Sequence, residues 1–216
     1  IIPAGTFATR VDGTLDGSSF QLLGYQTPVT PWQAMLSILT GLQNSSYVIA
    51  VLLVNGGAIR ASLPAGDISR GDLLALHPFD GQVYVREYSG KQIMDALEHA
   101  VSGPDGEGPQ LLQVAGLAYE ADTSRPAGRR LQAVHIVDER GRRHVLDPQG
   151  RYGVVLSDFL ASGGDGFGML RQGRLLATSP LSVRELTGDY IRRHSPLTAP
   201  RGERIILDRA NVQSPQ

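Results

Sequence analysis

Apolar residues recur with two periods along the chain, and these lay out most of its elements. Positions 32, 35, 36, 38, 39 and 42 are apolar and fall on one broad helical face. Thr30 is placed to cap this helix, with Pro31 at its first position. A nearly unbroken Val- and Ile-rich run over 47–54 predicts a buried strand, which ends at the turn Asn55-Gly56-Gly57. A short helix is expected over 69–76, stopping before His77-Pro78. Alternation over 82–88 reads as a strand. The clearest helix follows, with Ser89 as N-cap and Gln92 closing a capping box. Its buried stripe is Ile93, Ala96, Leu97, Ala100 and Val101, and Gly103-Pro104 stops it. Strands are expected over 111–120, 131–137 and 152–156, then a helix over 181–193 and a last strand over 204–207.

This order mixes neighbouring strands with isolated helices, so a strict strand–helix–strand repeat fails. The pattern predicts an α+β fold, a mixed β-sheet packed with helices, rather than a doubly wound sheet. Residues 1–25, rich in Gly, Ser and Thr, read as a lead-in or linker segment. Residues 26–208 read as the folded domain and 209–216 as a frayed tail. The opening Ile1-Ile2-Pro3 carries neither an initiator Met nor a signal peptide, so a fragment or processed product is expected.

Composition narrows the function classes. A hydrophobic share of 41% with 19% charged residues supports a real core rather than disorder. The net charge of −1 gives no overall field favouring nucleic acid or an anionic membrane. Lys91 is the sole lysine, so 19 of the 20 basic residues are Arg, which reads as a GC-rich genome before it reads as function. With no Cys, disulfides and Cys-based zinc sites are excluded. No stretch approaches the roughly 20 apolar residues that span a membrane.

The five histidines, His77, His99, His135, His144 and His194, form no pattern typical of metal ligands. They are expected to be surface or hydrogen-bonded groups, and the neighbours Glu98 and His99 should diverge from their helix. The segment Gly163-Gly164-Asp165-Gly166 is neither a phosphate loop nor a dinucleotide-binding motif, and a bare turn is one reading of it. No Ser/His/Asp triad can be assigned. Asn44-Ser45-Ser46 matches a glycosylation sequon.

Two loops suggest a site for a flat heterocycle on a sugar. Ser157 to Phe167 sets the Phe159 ring six residues before the Asp165 carboxylate, with two glycines between. Val54 to Arg60 offers the Asn55 amide and the Arg60 guanidinium around another glycine pair. Phe79, between Pro78 and Asp80-Gly81, is poorly placed for a core. Paired with Phe159 on facing loops it would clamp a base, and stacking of that kind is worth about 1–3 kcal/mol per face.

The succession 55–60, 66–72, 77–79, 97–101, 112–117 and 158–167 resembles the C-terminal domain of the 5′-nucleotidases. The similarity runs from about 51 to 170 and more loosely to 207. It implies that Phe79 and Phe159 sandwich the base and Asn55 bonds its edge. Asp165 would hold the ribose hydroxyls, Arg60 would lie near ribose or phosphate, and Gly116 would line the pocket. Such enzymes carry a separate N-terminal metallophosphoesterase domain with a divalent metal pair (Zn, Mn or Co) that activates water. The resemblance therefore implies that domain as partner, a nucleotide or nucleoside as ligand, and a periplasmic, secreted or cell-surface location. It implies no nucleic-acid partner, no metal and no catalytic residue in this chain. The sequence departs from the family where Gln26 and Thr30-Pro31 stand in place of an acid and a Gly-Asn pair, and Asp158 stands where Asn is common. The alternative is a stand-alone, inactive nucleoside-binding or surface interaction module.

Overall fold

The structure, a computed structural model, describes residues 10–15, 18–23, 49–63, 67–138, 141–195 and 204–208. The helix expected over 31–42, the departures at 26–31, the sequon and the 209–216 tail lie outside them. Strands β1 (Arg10–Leu15) and β2 (Ser18–Leu23) pair as an antiparallel hairpin inside the segment read as a lead-in.

A five-stranded mixed sheet organises the rest. Its strands are β3 (Ile49–Asn55), β4 (Gln82–Ser89), β5 (Leu112–Ala115), β9 (Arg151–Ser157) and β10 (Arg174–Ser182), in the order β10-β4-β9-β3-β5. Only β3 and β9 run parallel; the other pairs are antiparallel. A four-stranded sheet in the order β11-β6-β7-β8 comprises β6 (Leu117–Asp122), β7 (Leu131–Val137), β8 (Arg143–Val145) and β11 (Ile205–Asp208). The α-helices among the described residues are α1 (Arg70–Leu76), α2 (Gly90–Ala100), α3 (Asp158–Ala161) and α4 (Val183–His194).

The unbroken apolar run in β3 follows from burial on both faces. Val51 and Leu53 point, with Tyr88, Val154 and Leu156, into a core shared with Ile93 and Leu97 of α2 and Leu117 and Tyr119 of β6. Leu52 faces the other way with Val83, Val85 and Val155, against Leu186 of α4. Ile68, Leu73 and Leu76 of the α1 region pack with Ile191 near the end of α4. The α2 capping box forms as expected, with Ser89 accepting from the Gln92 amide.

Two expectations are corrected. The strand over 111–120 is two strands, because Gly116 turns the chain at φ +70° between β5 and β6. Its carbonyl there accepts from Val137 N–H at 2.9 Å. The helix over 181–193 starts later, at Val183, because Leu181 and Ser182 close strand β10. Ser182 is the N-cap, boxed with Glu185. Strands β8 and β10 and the short helix α3 carry no clear period in the sequence; β10 is only half-buried and irregular in register.

Candidate nucleoside site

Strand register brings the candidate loops to one end of the large sheet. In the parallel pair, Leu52 lies beside Val155, so Asn55 and the residues after Ser157 leave the sheet at the same edge. The antiparallel pairing of Val83 with Ser157 brings the loop before β4 to that edge too. Phe79, Asn55 and Phe159 thus share one rim. The loops touch: a Cβ on Gly81 would lie 2.8 Å from the Asp158 carboxylate.

Asn55 is buried at 4% exposure, and its amide donates to the Asp165 carboxylate at 2.8 Å. After it, the chain makes a 3-10 turn, Gly56–Ala58, anchored by Gly56 N–H on Leu111 O and Gly57 N–H on Pro109 O, both 2.8 Å. Arg60 emerges exposed, its N–H donating to Leu76 O at the end of α1, just before the Phe79 loop. Among the described residues no hydrogen bond or ion pair is recorded for its guanidinium.

Asp165 sits on a strained turn. Its φ of +52° is the one left-handed value at a described non-glycine residue, a conformation that costs about 1–2 kcal/mol. Gly163 and Gly166, both at φ +85°, carry the chain through the same region. The turn is held from below by His99 of α2, whose Nε2 donates to the Asp165 carbonyl at 2.8 Å. His99 meets Phe167, a buried ring, edge-on at 4.7 Å. The expected divergence of Glu98 and His99 holds, since Glu98 instead accepts from the N–H groups of Arg130 and Leu131.

Both aromatic rings are exposed, Phe79 at 62% and Phe159 at 48%. Phe159 lies flat against Gly164, where a Cβ would fall 2.4 Å from the nearest ring atoms. The Phe79 loop is held by its backbone. Arg184 of α4 donates to His77 O at 2.8 Å and Pro78 O at 3.0 Å, and lies 3.7 Å from Asp80. The His77 ring tucks under the loop, 3.4 Å from Ala58 O. Burial pushes this imidazole below its ordinary value of 6.5; the Ala58 carbonyl opposes the shift and the Arg184 charge adds to it.

Of the six residues singled out from sequence, the structure brings Asn55, Asp165 and Phe159 together, with Phe79 and Arg60 on adjoining loops. Gly116 does not join them. Asn55 pairs with Leu112, and Gly116 lies four residues further on, just past the end of β5, about 13 Å at strand rise, toward the opposite edge. Its positive φ serves the bend. Sequence reasoning missed His99 and Arg184 as supports, since each meets its partner across 66 or more positions. The described residues contain no group of three or more His, Asp or Glu side chains arranged to hold a metal ion. None of their helices is long and apolar enough to cross a membrane.

Similar chains occur among known proteins. The chain is 33% identical over 156 residues to an apyrase of Tabanus yao, covering 69% of this chain and 28% of the relative. It is 33% identical over 153 residues to a snake venom 5′-nucleotidase of Crotalus adamanteus, covering 67% and 26%. It therefore spans less than a third of the length of these relatives. The solved 5′-nucleotidase precursor from Thermus thermophilus superposes with a TM-score of 0.74 at 30% identity, over 98% of this chain and 41% of that one. The family profile described as 5′-nucleotidase, C-terminal domain, matches residues 29–172. The chain belongs to the 5′-nucleotidase C-terminal domain family.

Proposed function

We propose that this chain binds the nucleoside portion of a nucleotide at the rim formed by Asn55, Phe79, Phe159 and Asp165. The observation that carries the reading is the exposure of two phenyl rings on adjoining loops beside a bonded amide–carboxylate pair. Exposed rings are costly in water, and a base stacked between them would cover one face of each. One Asp165 oxygen is held by Asn55, which orients the carboxylate and leaves the other oxygen to accept from a ribose hydroxyl. Asn55 keeps its carbonyl oxygen and second N–H for the edge of the base. Arg60, exposed on the adjoining loop, supplies a cation for the phosphate end.

In this reading the chain is the substrate-binding part of a nucleotide hydrolase acting on a 5′-phosphate or a nucleotide sugar. The hydrolytic step belongs to an N-terminal metallophosphoesterase domain with a divalent metal pair, and no step is assigned to residues of this chain. The venom relative supports placement outside the cytoplasm.

Calorimetry of the 216-residue chain with adenosine 5′-monophosphate tests the reading. Saturable binding is expected, weakened about 5- to 150-fold by Phe79→Ala or Phe159→Ala, the equivalent of one lost stacking face. No binding, or equal binding by both variants and the parent, overturns it.

A further inference from the structure

We infer that Arg184 is a positioning residue that sets the pose of Phe79, and so the width of the base clamp. This rests on the proposed nucleoside site. The Phe79 ring is 62% exposed, so packing does not fix it; its direction follows from the loop backbone. Pro78, just ahead of it, has no N–H to anchor that backbone. What holds the loop comes from the segment after β9. The Arg184 guanidinium donates to two successive carbonyls, His77 O and Pro78 O, and its third nitrogen faces the Asp80 carboxylate at 3.7 Å. Beside it, Val183 N–H reaches Gly81 O at 3.4 Å, and Ser182 pairs with Gln82. The loop from His77 to Gln82 is thus bracketed by the end of β10 and the first turn of α4.

The clamp is built to be stiff. Arg184 is only 23% exposed, and its helix is pinned by Leu186 in the core under the large sheet. A planar fork spanning two carbonyls fixes their relative orientation, which a lysine ammonium cannot do. Arg184 lies beyond residues 29–172, where the family profile ends. The loop is therefore held by an element outside the matched region.

The test compares the 216-residue chain with Arg184→Ala, Arg184→Lys, Phe79→Ala and the double variant Phe79→Ala/Arg184→Ala. Hydrogen–deuterium exchange without ligand should speed up in Arg184→Ala and Arg184→Lys at the amides of His77 and Val183, whose bonds to Leu73 O and Gly81 O bracket the loop. The Lys variant keeps the charge and the packed stem, so it preserves the fold if the Ala variant does not. Adenosine 5′-monophosphate affinity should fall about fivefold or more in both. In the Phe79→Ala background the same change should cost less than about twofold, because the ring through which Arg184 acts is gone. Unchanged exchange at His77 and Val183 overturns the clamp whatever the binding shows. Faster exchange with no nucleotide binding by the parent chain removes the nucleoside site and leaves the loop clamp standing. Faster exchange with affinity losses that multiply independently in the double variant overturns the action through Phe79.

Discussion

Gly164→Ala probes the proposed base clamp without altering either ring. Gly164 carries no positive φ, so an alanine there strains no backbone torsion. Its Cβ would instead fall 2.4 Å from Cε1 and Cζ and 2.6 Å from Cε2 of Phe159. Ring and methyl cannot share that space, and the ring must swing away. Because Phe159 is 48% exposed, swinging it costs little of the core, and folding stability should change by no more than about 0.5–1 kcal/mol. The loss falls on the ligand. Displacing one stacking face removes about 1–3 kcal/mol, or about 5- to 150-fold in affinity for a nucleotide. Calorimetry with adenosine 5′-monophosphate, alongside thermal unfolding, separates the two effects. A folded Gly164→Ala chain that binds as tightly as the parent refutes the placement of Phe159 in the site.

Asp165→Gly should relieve about 1–2 kcal/mol of left-handed strain while losing the Asn55 bond to a carboxylate, worth about 1.5–3 kcal/mol. Thermal stability should therefore fall by no more than about 2 kcal/mol while nucleotide affinity drops, both readable in one thermal-shift titration. Tyr88→Phe removes a buried hydroxyl that donates to Leu170 O at 2.8 Å, leaving that carbonyl unpaired. Urea unfolding should show a loss of about 1–3 kcal/mol. Burial pushes this phenol up to about 12, so the loss should not vary between about pH 6 and 9. The depressed His77 pKa means that the unfolded chain binds the proton more readily than the native one. Stability from this group is constant above about pH 6.5 and falls as pH drops from there toward the lower native value. His77→Gln should flatten that slope in unfolding measured from about pH 7.5 to 5.

Helix α2 was legible because a capping box and a periodic stripe agree, and β3 because burial on both faces writes a continuous apolar run. The bend at Gly116 was not, since an apolar run does not show where one strand ends and the next begins; the glycine itself was the one available signal. The β1–β2 hairpin had the Asp16-Gly17 pair between its strands, a turn signal outweighed by the polar composition around it. Strand β10 is half-buried and register-shifted, so its alternation is blurred. At the site, Phe159, Asp165 and Asn55 stood out because glycines and an aromatic break the local pattern on loops. The contacts that hold them did not: Arg184 reaches His77 across 107 positions, and His99 reaches Asp165 across 66. Such pairs depend on strand order, which a single sequence does not encode locally.

The location of the proposed nucleoside site is tested most directly by amide chemical-shift mapping of the chain titrated with adenosine 5′-monophosphate. Shifts are expected to concentrate at residues 55–60, 79–81 and 159–166, with Gly116 and the β7–β8 hairpin unmoved. Shifts centred on the four-stranded sheet, or none at saturating nucleotide, would contradict it.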